Sequence, residues 1–183
     1  MSGRCSHDEA VHRTGLIDRL AAFDPRVVGT LPLGVGVADS DIDVVCHAAD
    51  LPVFAQAVWR HFAAAGGFAL WQWTGAGRPV VARFEAFGWP FEIFGSVQPV
   101  DEQAGWRHFV VERRLLALGG ERFRQAVMAQ RRRGQKTEPA FAAVLGLAGP
   151  DPYAAMLALY GHSDSQLAAL LDRMKVGRGD QVT

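Results

Sequence analysis

The order of the sequence patterns predicts an α+β protein with its strands in the first half of the chain and helices in the second. A helical pattern over residues 6–23 precedes two short strands, and a second helix over residues 51–65 precedes a strand-rich stretch at residues 68–94. From Asp101 onward the periodicity is helical throughout. Strands grouped together and then helices grouped together are typical of the α+β class.

Local signals support each element of the first half. Ser6, with Glu9 three residues later, predicts a capping box at the start of the first helix. Strands are predicted at residues 26–31 and 42–47. The helix over residues 51–65 has a proline in its first turn and a glycine pair at its end.

Three strands are predicted within residues 68–94, separated by glycine turns at residues 75–77 and 88–90. Trp71 and Trp73 share one face of the first strand, and we expect one face of that strand to be buried. Because tryptophans are more often core residues than stacking surfaces, we expect none of them to stack on a nucleotide.

The second half is predicted to be a set of helices. They cover residues 101–118, 121–133 and 138–147, and two more are opened by Asp151-Pro152 and by a capping box of Ser163 with Gln166. We therefore expect residues 1–118 to form the α/β core and residues 119–183 to form a helical extension packed on it.

Composition narrows the class of protein. The 19 basic and 19 acidic residues balance, so no overall charge draws the chain to nucleic acid or to a membrane. No apolar run approaches the ~20 residues of a membrane span, and the N-terminus lacks the apolar region of a secretory signal. Cys5 and Cys46 lack metal-ligand spacing, and Cys46 is predicted to be a buried free thiol. These features predict a reduced, cytoplasmic protein.

The segment GTLPLGVGVADSDIDVV, residues 29–45, carries the strongest chemical signal. Asp41 and Asp43 lie two apart on a predicted strand and therefore point to the same side. Carboxylates this close repel each other unless a cation neutralises them, and magnesium suits them when a phosphate completes its ligand shell. Gly29 allows the backbone to approach a phosphate, and Thr30 adds a hydroxyl donor.

Other interpretations of this acidic segment stay open. Aspartates are common in solvated turns. The spacing of Asp39, Asp41 and Asp43 also matches the start of a calcium EF-hand loop, although Val44 occupies the glycine position and no helix leads into the segment. A glycosidase pair needs carboxylates farther apart than two residues of one strand.

The segment resembles the signature of the DNA polymerase beta-like nucleotidyltransferases, which is Gly-Ser, a glycine-containing turn, then Ser-Asp-Ile/Leu-Asp on a strand. This chain has Gly29-Thr30, Gly34 and Ser40-Asp41-Ile42-Asp43. The superfamily has a third carboxylate on a later strand of the same sheet, and Glu92 in FEIFG matches it. An edge-strand glutamate facing water is the alternative for Glu92.

A closer resemblance is to a small bacterial family of uncharacterised proteins with a minimal version of this domain. It implies a minimal nucleotidyltransferase fold, a mixed β-sheet of about five strands packed on helices, with a helical C-terminal part. Leu33 departs from many minimal nucleotidyltransferases, which have an arginine just before the turn glycine. The resemblance runs from about Val28 to Tyr160 through GTLPLG, SDIDVV, FGSVQP, EQAGWRHFVVERRLL, QKTEPAF and GPDPY.

The helix after Asp101 offers groups that could neutralise a triphosphate. His108 and Glu112 are four apart and share a face, with Arg107 adjacent and Gln103 one turn back. A solvated helical face with an i,i+4 pair is an equally good interpretation. Lys136 is a further candidate phosphate contact.

Together these features predict a magnesium-dependent nucleotidyltransferase that moves a nucleoside monophosphate from a triphosphate to a hydroxyl of a small molecule or protein. Asp41, Asp43 and Glu92 are the catalytic candidates and would bind two Mg²⁺ or Mn²⁺ ions. The alternative is a catalytically weak or inactive module of the same fold that binds a nucleotide, RNA or a protein partner. Candidate phosphate-binding residues are Gly29, Thr30, Ser40, Gln103, Arg107, His108 and Lys136.

Overall fold

The computed structural model of the protein describes residues 4–176, with side chains as far as Arg173. The chain forms two compact units. The first unit comprises the chain up to Pro32 together with Asp39–Trp106. The second comprises Leu33–Ala38 and the chain from Arg107 onward. The expected division at residue 118 stays a prediction.

The first unit contains a mixed five-stranded sheet in the order β1-β2-β5-β4-β3. β2 runs parallel to β5, and the other neighbouring pairs are antiparallel. The predicted α+β class is confirmed. The strands are β1 Arg26–Val28, β2 Ile42–His47, β3 Gly66–Gln72, β4 Val80–Ala86 and β5 Trp89–Ser96.

Three helices of this unit, α1 His7–Thr14, α2 Leu16–Arg19 and α3 Leu51–Phe62, contribute to its hydrophobic core. The prediction of one helix over residues 6–23 is wrong, because Gly15 has a φ of 60° and ends α1. At the start of α1 the Glu9 N–H donates to Ser6 Oγ over 3.1 Å. Core side chains from helices and strands include Leu16, Leu20, Phe54, Val58, Phe62, Ile42, Val44, Phe84, Phe91 and Ile93.

The turn between β4 and β5 lies at Phe87 and Gly88, whose φ angles are 53° and 80°. Positive φ at both central residues suits a tight hairpin. The predicted turn at residues 88–90 therefore extended too far. Pro90 lies within β5 opposite Glu85, and its missing N–H is tolerated there because pairing of β5 with β2 starts only at Phe91.

Cys46 is a free, buried thiol in the described structure, as predicted. Burial raises the pKa of this thiol to about 12, with a smaller contribution from Asp24. Among the helices of residues 4–176, none is both long and apolar enough to cross a membrane.

In the second unit the described chain from Arg107 onward is mainly helical. α4 runs over Ala104–Arg131 and is interrupted at Gly120, where φ is 62° and ψ is −160°. This break separates the two helices predicted at residues 101–118 and 121–133, although Asp101 lies in a short 3-10 turn before α4 instead of capping it. The remaining helices are α5 Thr137–Leu145, α6 Pro152–Ala158 and α7 Asp164–Val176.

The predicted starts of α6 and α7 are confirmed by their hydrogen bonds. Asp151 Oδ1 accepts from the N–H groups of Tyr153 and Ala154 at 2.9 and 3.1 Å. At α7, the Ser163 N–H donates to Gln166 Oε1 and the Gln166 N–H donates to Ser163 Oγ. This reciprocal pair is a capping box.

Candidate active site

Two acidic residues and one basic residue form a row across the sheet of the first unit. Asp43 on β2 lies opposite Glu92 on β5, and Glu92 lies opposite Arg83 on β4. Directly opposed residues of paired strands point to the same face. We call Asp43, Glu92 and Arg83 the charged row. Asp41 comes two residues before Asp43, immediately ahead of β2.

The Arg83 guanidinium is bound to Glu92. Its Nε and Nη2 atoms both lie 2.6 Å from Glu92 Oε2. The hydrogen bond and charge of Glu92 raise the pKa of Arg83, and the charges of Asp41 and Asp43 raise it further. All three candidate carboxylates therefore act on one cation. Because β5 lies between β2 and β4, the alternative of an edge-strand glutamate is wrong.

Gly29 lies against the Asp43 carboxylate. Its φ is 79°, and a Cβ added there would lie 2.2 Å from Asp43 Oδ2. Val28, the last residue of β1, is paired with Asp43, so the chain turns beside that carboxylate. The close approach requires glycine on two grounds, the backbone conformation and the absence of a side chain.

Thr30 and Ser40 close the loop between β1 and β2. The Thr30 hydroxyl donates to Ser40 Oγ over 3.2 Å, and both side chains are buried. Nη2 of Arg4 donates to the Ser40 carbonyl over 3.5 Å. These hydroxyls therefore hold the loop closed next to Asp41.

Gln103 lies at the start of α4 and is buried. Its Nε2 donates to the carbonyls of Cys46 and Gln98, each at 2.9 Å. The side chain thus ties the segment before α4 to the end of β2. Its proposed contact with a phosphate stays a prediction.

The other candidate phosphate ligands belong to the second unit. The Arg107 guanidinium lies 5.1 Å from the centre of the Tyr160 ring. Lys136 is exposed at the N-cap of α5. His108 is buried, contrary to the interpretation of a solvated helical face. A role in phosphate binding stays a prediction for Arg107, His108 and Lys136.

His108 joins three helices of the second unit through its two ring nitrogens. Nδ1 lies 3.2 Å from Glu138 Oε1 on α5, and Nε2 lies 3.1 Å from the Tyr153 carbonyl on α6. Burial tends to raise the pKa of Glu138, but hydrogen bonds, first of all with His108, outweigh it and lower that pKa. Burial, and then the charge of Glu138, raise the pKa of Glu112 well above its ordinary value.

Leu33, which stands where the resemblance leads one to expect an arginine, is buried in the second unit. Its carbonyl accepts a hydrogen bond from Nη1 of Arg124 on α4. A Cβ on Gly34, whose φ is 67°, would lie 2.7 Å from the same nitrogen. The turn glycine therefore does have an arginine beside it, supplied from a distant helix. No sequence signal marks Arg124 for this contact.

The fit to a divalent cation rests on Asp41, Asp43 and Glu92. Within residues 4–176 no group of three or more histidine, cysteine, aspartate or glutamate side chains is placed to hold a metal ion. Glu92 is bound to Arg83, whose guanidinium provides the positive charge in this arrangement. Carboxylate oxygens suit a hard cation such as Mg²⁺, and a metal-binding role for these three residues stays a prediction.

Comparison with known proteins identifies the family. Residues 9–159 match the profile of a family described as a domain of unknown function, DUF4269. The chain belongs to this family. None of the curated proteins searched matches the sequence.

Solved structures show the fold. A mutant Cid1 poly(U) polymerase bound to MgATP has a TM-score of 0.55 and 14% identity, covering 82% of this chain and 47% of its own. A cytoplasmic RNA terminal U-transferase has a TM-score of 0.54 and 14% identity, and the match covers 98% of this chain and 70% of that one. A chain of the GLD-2/RNP-8 complex has a TM-score of 0.54 and 11% identity, and the match covers 97% of this chain and 81% of that one. The predicted nucleotidyltransferase fold is confirmed, and the chain spans less than half the length of the Cid1 chain.

Proposed function

We propose that the protein is a magnesium-dependent nucleotidyltransferase that moves a nucleoside monophosphate from a nucleoside triphosphate to an acceptor hydroxyl. The observation that carries the proposal is that Asp43 and Glu92 lie opposite each other on paired strands, with Asp41 two residues before Asp43. The position of Asp43 next to the Gly29 turn, in a fold similar to that of the polymerases above, supports it.

The reaction divides among residues of the first unit. Asp41 and Asp43 would hold the divalent ion, and Glu92 would join them after leaving Arg83. A bound divalent ion supplies positive charge that stabilises the phosphoryl transition state. The turn formed by Gly29 and Thr30 would hold the phosphates. The acceptor oxygen bonds to the α-phosphorus, the bond to the bridging oxygen breaks, pyrophosphate leaves, and the hydroxyl proton passes to solvent.

Arg83 has a second part in this proposal. While Arg83 is bound to Glu92, its positive charge offsets the negative charges of Glu92 and Asp43. When Glu92 binds a metal ion, the guanidinium is free to donate to phosphate oxygens, for which its planar donor pattern is suited. The side chain is 61% exposed, so it can move without disturbing the core.

Asp43→Asn tests the function. The substitution removes one negative charge beside Gly29 and keeps the side chain's size. We expect pyrophosphate release to fall by on the order of a hundredfold or more, since charge stabilisation by a metal contributes several kcal/mol. The measurement is pyrophosphate release with a panel of triphosphates and acceptors in the presence of Mg²⁺.

Asp39→Asn is the matched control, because Asp39 is exposed and precedes the strand. We expect it to retain activity. Undiminished release by Asp43→Asn, with circular dichroism showing an intact fold, would contradict the proposal.

The second candidate function is a non-catalytic module that binds a nucleotide, RNA or a protein. The Arg83–Glu92 pair favours it, because that pair neutralises one of the three carboxylates without a metal ion. Calorimetry separates the two candidates. An enzyme should bind a nucleoside triphosphate only with Mg²⁺ and lose this binding in Asp43→Asn, whereas a non-catalytic module should show no such coupling.

A further inference from the structure

Three aromatic side chains lie beside the charged row on the same face of the sheet. Trp71 on β3 pairs with Val81 on β4, and Val81 pairs with Phe94 on β5. Val81 is two residues from Arg83, and Phe94 is two residues from Glu92. Trp71, Val81 and Phe94 therefore lie on the same face of the sheet as the charged row. The Trp73 N–H donates to the Pro79 carbonyl over 2.9 Å and continues the pairing beyond β3. We call Trp71, Trp73 and Phe94 the aromatic strip.

The aromatic strip faces away from the hydrophobic core of the first unit. On β3 it is Leu70, on the opposite face, that packs against that core. The expectation that one face of this strand is buried is met only in part, because Leu70 is half-buried on an edge strand. The two tryptophans are therefore not core residues of the sheet.

Trp73 is the exposed member of the strip, whereas Trp71 and Phe94 are half-buried. Trp73 is 51% exposed. Its ring meets Phe94 edge-to-face, with centroids 5.6 Å apart and planes at 75°. The Arg83 guanidinium lies 5.7 Å from the centre of the Trp71 ring. Exposed aromatic rings beside a guanidinium are the components from which base-stacking surfaces are made.

We propose that the aromatic strip binds the planar ring of the acceptor, which is a nucleoside or the terminal nucleotide of an oligonucleotide. The inference rests on the proposed function and names the acceptor class for that site. The ring would stack on Trp73, a phosphate would contact Arg83, and the hydroxyl would reach Glu92. Phe94 is two residues from Glu92, about 7 Å along β5, which one nucleotide spans.

The register gives this arrangement its specificity. An acceptor without a planar ring would leave Trp73 uncovered and would have only charge contacts with Arg83. When a base stacks on Trp73, the sugar attached to it would instead lie toward Glu92. The neutral overall charge of the chain is compatible with a short acceptor, since stacking needs no extended basic surface.

Trp73→Ala and Trp59→Ala form a matched pair for the test. Trp59 is also an exposed tryptophan, at 62%, but it lies on α3 against Phe68. The probes are hexa-adenylate, AMP, and an abasic hexamer of the same charge, measured by isothermal titration calorimetry. We expect Trp73→Ala to weaken hexa-adenylate or AMP binding about tenfold or more, Trp73→Phe to restore most of it, and Trp59→Ala to have no effect.

The abasic hexamer should bind weakly to the wild type and no more weakly to Trp73→Ala. Equal effects of the two alanine variants, or abasic binding as tight as that of hexa-adenylate, would overturn the proposal. Trp73-dependent binding of AMP identifies an acceptor of nucleoside size. Trp73-dependent binding of the hexamer alone identifies an oligonucleotide end.

Failure of this inference is distinguishable from failure of the proposed function. If Trp73→Ala leaves binding unchanged while the wild type releases pyrophosphate, the aromatic strip is wrong and the function stands. If the wild type binds the ring through Trp73 but releases no pyrophosphate with any substrate, the strip stands and the transferase proposal is wrong.

Discussion

At the scale of single residues, Gly29 and Asp43 depend on each other. Gly29 has a φ of 79°, and the space that a side chain would fill is occupied by the Asp43 carboxylate. The glycine of this segment therefore makes room for the carboxylate of a catalytic candidate, and its contact with a phosphate stays a prediction. The left-handed conformation of Gly29 and its contact with Asp43 have separate consequences, which a matched pair of substitutions can distinguish.

Gly29→Ala should displace Asp43 and abolish pyrophosphate release. Gly77→Ala is the control, since Gly77 has a similar φ of 73° but nothing within 4 Å of an added Cβ. Both variants should lose about 1–2 kcal/mol of unfolding free energy, the cost of the left-handed conformation for alanine. Urea denaturation measures the stability. Equal activity of the two variants would show that Gly29 does not position Asp43.

At the scale of elements, β5 is the central strand that connects the charged row to the hydrophobic core. Glu92 points to the row, while Phe91 and Ile93 on the other face are buried. Gly95 lies on the core side beneath Phe54 of α3. The strand therefore positions Glu92 in the charged row and also allows α3 to pack closely against the sheet.

Gly95→Ala should destabilise the protein by about 1–3 kcal/mol through overpacking. An added Cβ would lie 2.1 Å from a ring carbon of Phe54, a side chain that is fully buried in the core. Gly66→Ala is the matched control, because Gly66 is also a strand glycine and has nothing within 4 Å of an added Cβ. Its stability should change by no more than about 0.5 kcal/mol. The urea midpoints of the two variants decide the outcome.

At the scale of the whole molecule, a buried carboxyl group makes stability depend on pH. Glu112 is 3% exposed, and its Oε1 has no hydrogen-bond partner among residues 4–176. Its pKa in the folded protein is raised by burial. The folded state thus retains a proton that the unfolded state releases, so the contribution of Glu112 to stability falls as the pH rises from the ordinary glutamate pKa toward the raised one.

Glu112→Gln should therefore become more stable relative to the wild type between about pH 4.5 and neutral pH. Glu138, whose pKa is lowered, loses its stabilising contribution as the pH falls in both proteins. Urea unfolding between pH 4 and pH 8 measures the differences. A difference for Glu112→Gln that does not widen with pH would contradict the burial argument.

The sequence predicted most of the element order, the β2 strand that contains Asp43, and the helix starts at Asp151 and Ser163. These features depend on side-chain alternation or on hydrogen bonds to residues within one turn, so they can be deduced locally. The prediction failed where one residue changes the path of the chain, as at Gly15, whose φ of 60° divides a helix. It also misplaced Pro90, because the tolerance of a proline depends on where the neighbouring strand begins.

The sequence by itself determined the fold class and the carboxylates that define the candidate site, since hydrophobic periodicity and short motifs contain that information. Only the tertiary structure decided that Glu92 is bound to Arg83, that Arg124 contacts the Gly34 turn, and that the face bearing Trp71 and Trp73 is also that of Asp43. These outcomes depend on strand register and helix packing between residues distant in the chain. Sequence spacing alone does not encode such contacts.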